Sequence, residues 1–542
     1  MPPARRLITA LALCVSLAAV FSTAAPAPAL ASQGQLAMFA DGGVYSNPQA
    51  TLASLRLLGV DIVRINVYWS KVAPASRSHS RPARFDASDP GAYPEANWYP
   101  YDQIVKYARA AGINVDFTLG GGLGGPLWAD APGAPRDKPH PEWKPSAREF
   151  GFFVHAIGRR YSGTYVPAGA STTLPRVGFW SVWNEPNFGE DLAPQAIRGS
   201  TVSVAPGRYR ALVDSAWTSL HATNHGHDTI LIGELAPRGL SGPAGRGHPE
   251  GLPGNFAQTK PLQFIRTLYC VNSSYRELRG AAAAALGCPT TAAASRQFRA
   301  ANPALFNAGG FSIHPYPENL PPNQEASTDP DYATFPELPR MERELDRLQR
   351  QYGSGTRFPI YDTEYGYITN PPNTGHHVSP ATAAGYINWA EYLSWRSARI
   401  KTTMQYELRD PQGRGPGAYS SGLERADGSH KPGYDAYRLP LYLPVTSTRR
   451  GHSLEVWGDA RPAHFGWVDS NHAPQTVQIQ FRPQSGGGFR TVRTITIPEP
   501  SEGYFDVHVA FSTSGTVRLA WSYPLASEDG TVHSRDVTVT VR

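Results

Sequence analysis

Short apolar runs alternate with amphipathic helical segments from about residue 35 to residue 410. The runs contain little polar alternation, which is typical of parallel strands that are covered on both faces. The segments between them carry helix signals; for example, Asn47 and Pro48 open one helix and Gly59 closes it. The pattern predicts eight strands, at 35–43, 60–69, 113–122, 176–185, 228–234, 308–316, 357–366 and 400–408.

Eight strand–helix units in succession predict an α/β fold, a (β/α)8 TIM barrel with long insertions. A doubly wound sheet is the alternative. However, no glycine-rich dinucleotide fingerprint follows the first strand. The barrel is therefore the preferred interpretation.

The pattern changes after about residue 440, where short strands with alternating polar and apolar residues follow one another without helical patterns. Such a segment predicts a small C-terminal β-sandwich domain. We accordingly expect a signal peptide at 1–31, a catalytic barrel at 32–438 and the sandwich at 439–542. We expect the sandwich to pack on the barrel rather than bind carbohydrate, because no aromatic cluster stands out in it.

The amino terminus has the pattern of an export signal. Arg5 and Arg6 precede an apolar run, and Ala29-Leu30-Ala31 fits an A-x-A cleavage site. The run is too short for a stable membrane anchor. We expect a secreted protein that begins near Ser32 and has no membrane anchor.

Composition narrows the function classes. Charged residues make up 17% and hydrophobic residues 41% of the chain, as in globular proteins. The formal charge of +6 is spread over scattered basic residues, so nucleic acid is a poor candidate partner. Aromatic residues make up 11%, enough for a stacking surface or for ordinary core packing.

Cysteine use favours a structural role over metal binding. After export, Cys270 and Cys288 remain, and an even count in an oxidising compartment favours a disulfide over free thiols. No Cys/His zinc pattern and no H-E-x-x-H motif occurs in the sequence. We therefore expect neither a metal nor a cofactor.

Polar residues concentrate where the predicted strands end, which in a (β/α)8 barrel is where reactive groups gather. Carboxylates dominate the set, and two facing carboxylates are what glycosidic-bond cleavage requires. No Ser–His–Asp set accompanies them. The candidates are Asp41, Arg64, Asn66, Asn184, Glu185, Glu234, His314, Tyr316, Asp362, Glu364, Tyr406 and Glu407.

Three stretches carry a family resemblance. The string "WSVWNEPNF" (180–188) resembles the Asn-Glu-Pro signature of clan A glycoside hydrolases, where it ends the fourth barrel strand. "VRINVYW" (63–69) resembles the second-strand segment of family 5 and its relatives, and "HPY" (314–316) resembles the sixth-strand His-x-Tyr of the clan. Within the clan, a long barrel followed by a β domain looks most like families 39 and 5. Two positions depart from the pattern, because Tyr406 stands where Trp is frequent and Glu234 is an extra acid.

The resemblance implies roles for individual residues. Glu185 would be the acid/base, and Glu364, at the end of the seventh strand, would be the nucleophile. Arg64 would keep Glu364 ionised, and Tyr316 would donate a hydrogen bond to it. Asn184 and His314 would bind the sugar. The proposed substrate-binding set, including stacking rings that could equally be core, is Arg64, Asn184, His314, Tyr316, Trp69, Trp128 and Tyr406.

Together these observations predict a secreted retaining glycoside hydrolase that acts on a β-type bond of an oligosaccharide, polysaccharide or glycoside. It would be an exo-glycosidase or an endo-glycanase. The alternative is a non-catalytic carbohydrate-binding or cell-wall protein on a barrel scaffold. An esterase or metal-dependent hydrolase ranks last, because no G-x-S-x-G elbow occurs. The sequence leaves the sugar, the linkage and the roles of Glu234, Asp362 and Glu407 open.

Overall fold

The computed structural model describes residues 34–197, 202–240, 255–413, 415, 417–497, 503–525 and 530–542. The expected signal peptide at 1–31 lies outside the described residues, so export stays a prediction. Within the described ranges, no helix combines the length and the apolar character needed to cross a bilayer.

Eight parallel strands form the barrel, in the order β7-β6-β5-β4-β3-β2-β1-β8. The ring closes where the Ile360 amide donates to the Arg399 carbonyl and the Lys401 amide donates to the Ile360 carbonyl, both at 2.8 Å. This arrangement confirms the predicted (β/α)8 fold. The strands are β1 (Leu36–Ala40), β2 (Ile62–Val67), β3 (Asn114–Leu119), β4 (Phe179–Val182), β5 (Thr229–Leu235), β6 (Gly310–Ile313), β7 (Ile360–Asp362) and β8 (Thr402–Tyr406).

Helices surround the barrel and fill its insertions, and their ends follow local sequence signals. The Asn47 side chain accepts from the Ala50 amide at the start of α2, and Gly112 ends α4 with φ +74°. The helices are α1 (Gly43–Ser46), α2 (Pro48–Leu57), α3 (Trp69–Val72), α4 (Glu95–Ala111), α5 (Ala147–Arg160), α6 (Ala205–Ala222), α7 (Pro261–Leu268), α8 (Gly280–Ala285), α9 (Ala292–Arg296), α10 (Phe298–Ala301), α11 (Ala304–Asn307), α12 (Leu338–Gln351), α13 (Pro380–Trp395), α14 (Pro432–Arg438) and α15 (Ala463–Asp469).

Seven of the eight barrel strands are shorter than predicted, because the chain leaves the hydrogen-bonded ladder before the polar end of the predicted segment, and β5 is the exception. β4 stops at Val182, so Asn184 and Glu185 lie on the loop that follows it. β7 stops at Asp362, which places Glu364 two residues beyond the strand. Each acid is therefore carried by loop backbone at the rim, while the strand below it stays buried.

Two further sheets pack around a second hydrophobic core that begins at Leu439. One has the order β10-β17-β15-β12-β13, with β16 paired to β15, and the other has the order β14-β11-β9. Short alternating strands of the predicted kind are present, including β12–β15 and β17. Their full set is β9 (Leu441–Tyr442), β10 (Ser447–Thr448), β11 (Ser453–Asp459), β12 (Gln475–Pro483), β13 (Arg490–Ile497), β14 (Tyr504–Ala510), β15 (Gly515–Ser522), β16 (Thr531–His533) and β17 (Val537–Val541).

One expectation for this region is wrong, because helix α15 lies between β11 and β12. It has only seven residues, too few to give a recognisable helical period. Its ring Phe465 packs with the barrel core rather than with the sandwich core. The helix therefore contributes residues to the contact between the barrel core and the sandwich core.

Buried polar contacts join the sandwich to the barrel. Arg461 donates to Glu391 of α13 at 2.7 Å and to the Tyr437 carbonyl of α14 at 2.8 Å. Tyr504 of β14 donates to the same Glu391 at 3.0 Å. These contacts fit the expected packing role of the sandwich.

A disulfide joins Cys270 and Cys288, as the sequence predicted. It lies in the insertion between β5 and β6, where it links the turn after α7 to the turn after α8. Neither cysteine lines the cavity described below. The bond is therefore structural.

Candidate active site

Eight of the twelve polar residues that the sequence places at strand ends meet at the carboxyl end of the barrel, where parallel strands bring such residues together. They come from six strands or the loops directly after them. These are Arg64 on β2, Asn184 and Glu185 after β4, Glu234 on β5, His314 and Tyr316 after β6, Glu364 after β7 and Tyr406 on β8.

The loop after β4 carries Glu185 in an unusual backbone conformation. Trp183 has φ +68° and Glu185 has φ +36°, values that side-chain-bearing residues rarely adopt. The Trp183 ring anchors the loop, since it is fully buried and donates to the Asp191 carbonyl at 3.1 Å. Such conformations cost about 1–3 kcal/mol each and cluster at functional sites. Here they turn Glu185 toward the cavity, where 19% of its side chain is exposed.

Gly121 allows the loop after β3 to pack closely against the backbone at Asn184. Its φ is +75°, and a Cβ placed on it would lie 2.4 Å from the Asn184 amide nitrogen. Only glycine has both the conformational freedom and the missing side chain that this approach needs. The loop after β3 thus fixes the position of Asn184, whose side chain accepts a 2.8 Å hydrogen bond from Arg64.

Glu185 and Glu364 face each other across the rim, with His314 between them. One carboxylate oxygen of each acid and a ring nitrogen of His314 all lie within 4.8 Å of one another. The His314 Nδ1 atom is 2.9 Å from Glu185 Oε1 and 3.6 Å from Glu364 Oε2. Both acids remain accessible, since 13% of the Glu364 side chain is exposed.

Glu364 is held by two donors. Arg64 Nη1 donates to its Oε1 at 2.6 Å, and the Tyr316 hydroxyl donates to its Oε2 at 3.0 Å. Arg64 is nearly completely buried, so this charge-assisted contact acts in a low-dielectric setting. The sequence placed both residues beside Glu364, and the structure brings all three together.

A third carboxylate lies below the pair. Glu234 is fully buried and contacts Arg64 at 2.7 Å and His314 Nε2 at 3.2 Å. Burial alone would raise the pKa of Glu234. Arg64 and the hydrogen bond from His314 outweigh it and lower that pKa well below its usual range.

The pKa of His314 is shifted upward. Burial would lower its pKa, but the charge of Glu364 and the hydrogen bonds to Glu185 and Glu234 raise the pKa to about 10. The imidazole is therefore doubly protonated at neutral pH. A ring nitrogen of His314 would have to lose its proton before it could bind a metal ion.

A cavity of about 730 Å³ opens above Glu185 and Glu364. Tyr406 and Tyr316 line it as expected. Tyr419, which the sequence analysis missed, packs edge-on against both rings. It lies in a glycine-rich loop after β8, where only its aromatic character could have marked it. Further lining residues that were missed are Arg238, Gln258, Glu318, Asn319 and His377.

Two expected stacking residues lie away from this cavity. Trp69 is 1% exposed and packs against Phe150 and Phe153 of α5. Trp128 is also buried, packs edge-on against Trp69, and donates to the Pro74 carbonyl at 2.9 Å. Both rings are buried in the packing of α5 and the loops around it, and neither lines the cavity where a sugar could bind.

No protein-family profile and no curated protein matches the chain. Among solved structures, a family 39 glycoside hydrolase from the gut symbiont Bacteroides cellulosilyticus WH2 aligns over 95% of this chain and 80% of that chain, with 14% identity and a TM-score of 0.46. A glucosidase from Croceicoccus marinus aligns over 93% and 97%, with 12% identity and a TM-score of 0.45. AbfB, a family 51 α-L-arabinofuranosidase from Bifidobacterium longum, aligns over 95% and 96%, with 12% identity and a TM-score of 0.43.

Proposed function

We propose that this chain is a secreted retaining glycoside hydrolase that cleaves a β-type glycosidic bond by double displacement. The observation that carries the proposal is the closeness of Glu185 and Glu364, of which one carboxylate oxygen each lies within 4.8 Å of the other. Retaining enzymes hold their two carboxyl groups about 5–5.5 Å apart, whereas inverting enzymes need about 6.5–9.5 Å to admit a water. A pair of oxygens this close is compatible with the shorter range and supports retention.

In the first step, Glu185 donates its proton to the oxygen of the departing group. A carboxylate oxygen of Glu364 attacks the anomeric carbon as the glycosidic bond breaks, which forms a glycosyl ester. Arg64 and Tyr316 orient Glu364 before the attack, because each donates to a different oxygen. The sugar ring would occupy the cavity between Tyr316 and Tyr406.

In the second step, Glu185 is a carboxylate and acts as a base. It removes a proton from water, the resulting oxygen attacks the anomeric carbon, and Glu364 leaves as a carboxylate. The sugar leaves with its original anomeric configuration. Both acids return to their starting states.

The role of Glu364 is tested by Glu364→Gln, which keeps the shape of the side chain and removes its charge. We expect kcat on the best aryl glycoside to fall by at least about 10⁴-fold, because no nucleophile remains. Asp362→Asn is the matched control, since Asp362 is a buried carboxyl two residues away that lies outside the cavity. Full activity of Glu364→Gln would refute the assignment.

Stereochemistry tests the mechanism separately. Proton NMR of the first sugar released should show the anomer of the substrate, and release of the opposite anomer would exclude double displacement. Glycan binding without cleavage across a broad panel would instead support the non-catalytic alternative.

A further inference from the structure

Glu234 is a carboxylate that the proposed reaction does not use directly, yet it contacts the groups around the two acids. It is fully buried, it does not line the cavity, and its backbone has φ +48°. Its Oε1 accepts from the Thr363 hydroxyl at 2.9 Å, and its Oε2 accepts from Arg64 and His314. A buried charge with a strained backbone and a complete set of partners calls for an explanation.

We propose that Glu234 is a positioning residue that keeps His314 doubly protonated and thereby fixes which oxygen of Glu185 carries the catalytic proton. The inference rests on the proposed glycosidase function and assigns a new role within that site. Glu234 itself touches no substrate.

The hydrogen-bond geometry carries the argument. Glu234 is ionised, so it can only accept, and the His314 Nε2–H donates to it at 3.2 Å. The His314 Nδ1–H then points at Glu185 Oε1, 2.9 Å away. An oxygen that accepts this bond is not the oxygen that holds the proton. The proton of Glu185 is therefore placed on Oε2, the oxygen that His314 leaves free for a leaving group.

The charges agree with this placement. Arg64 and His314 supply two positive charges, and Glu234 and Glu364 supply two negative charges. The cluster is thus neutral when Glu185 is protonated. If Glu234 were uncharged, the cluster with a doubly protonated His314 would carry a net positive charge, which favours loss of a proton from His314 and with it the arrangement that leaves Glu185 Oε2 to hold the proton.

The other titratable groups that face this cluster do not change its net charge in mildly acidic solution. Burial raises the pKa of Asp116 on β3 to about 7 and that of Glu407 after β8 to about 8. Burial also raises the pKa values of Asp191 and Asp362 well above their usual range. Burial keeps the tyrosines around the site neutral by raising their pKa values, and these are Tyr209, Tyr316, Tyr406 and Tyr419.

The test is Glu234→Gln assayed with two glycosides of the same sugar. A leaving group such as 2,4-dinitrophenolate departs without protonation, whereas an alkyl alcohol needs the acid. We expect kcat for the alkyl glycoside to fall by about 100-fold, within the range that general acid catalysis supplies. We expect the dinitrophenyl glycoside to be nearly unaffected. The alkaline limb of the alkyl-glycoside pH profile should also move to lower pH.

A purely structural role for Glu234 would reduce both activities equally and leave the pH profile in place, and that result would overturn the proposal. Asp362→Asn is the matched control, because it also removes a buried carboxyl near the site, but one whose pKa is raised well above its usual range by burial. It should change neither the leaving-group dependence nor the pH profile.

A second measurement uses the wild-type chain and does not depend on the folding of the Glu234 variant. Nitrogen-15 NMR of histidine-labelled protein at pH 8 should show an imidazolium with both nitrogens protonated, identified by its loss in His314→Gln. A neutral His314 at that pH would overturn the proposal. This readout needs no turnover, so it separates failure of the inference from failure of the proposed glycosidase activity.

Discussion

Glu185 and Glu364 are exposed to a similar degree, 19% and 13% of their side chains, but their neighbours differ. Glu364 has an arginine and a tyrosine hydroxyl as donors, which suit a carboxylate that must stay charged until it attacks. Glu185 has His314 as its one donor within hydrogen-bond distance among the described residues, and that donor occupies a single oxygen. In the proposed mechanism, these contacts rather than the exposed fraction distinguish the acid from the nucleophile.

Asp362 gives a prediction at the residue scale. Burial raises its pKa well above the usual range in the folded protein, so the folded state binds a proton that the unfolded chain releases above its ordinary pKa. The wild-type protein therefore loses stability from this group as pH rises from about 4 toward 7.

Asp362→Asn removes that titration. We expect the variant to be more stable than the wild type at pH 7 and to lose its advantage near pH 4. Urea unfolding at several pH values measures the difference. A stability difference that is constant with pH would show that Asp362 is ionised in the folded protein.

At the scale of elements, the loop after β3 positions Asn184, and Gly121 makes this possible. Gly121→Ala would place a methyl group 2.4 Å from the Asn184 nitrogen and would displace the backbone next to Glu185. We expect kcat/KM to fall by about 10- to 100-fold, because small misplacement of a catalytic group has costs of this order.

Gly169→Ala separates this clash from simple backbone strain. Gly169 has φ +76°, but a Cβ there would meet nothing within 4 Å. Both variants should lose about 1–2 kcal/mol of stability from the left-handed backbone, and only Gly121→Ala should lose activity. Equal activity in the two variants would contradict the positioning role of this loop.

The elements were largely predictable, and the partners of individual side chains were not. The eight barrel strands could be predicted because most are mainly apolar segments that follow a helix stop and lead into polar residues. The burial of Trp69 could not be read from the sequence, since it depends on rings that α5 supplies some 80 residues later. The partners of Glu234 were equally unpredictable, because they come from β2 and from the residues directly after β6 and β7. Tyr419 lies in a loop without periodic signal.

At the scale of the whole molecule, the barrel and the sandwich share a buried ion pair. Arg461 and Glu391 are 3% and 6% exposed at their side chains, and removal of one partner leaves the other charged and buried. We expect Arg461→Met to cost about 3–5 kcal/mol and to split thermal unfolding into two transitions. Differential scanning calorimetry measures both effects.

Arg482→Met is the matched control within the sandwich. Arg482 pairs with Asp536, but both side chains are more than two-fifths exposed. Solvent screens such pairs, so little change in stability is expected. Two variants with the same small effect would mean that the interface pair does not couple the domains.

The cavity wall and the charged cluster have separate origins in the chain. Arg238, Glu318, His377 and Tyr419 come from four different loops after β5, β6, β7 and β8. The Arg64–Glu234–His314 cluster is anchored on the strands beneath. Mutation can therefore remodel the wall, one loop at a time, while the charged groups beneath keep their geometry. Under the proposed function, libraries that vary one of these loops should change the sugar preference and retain turnover.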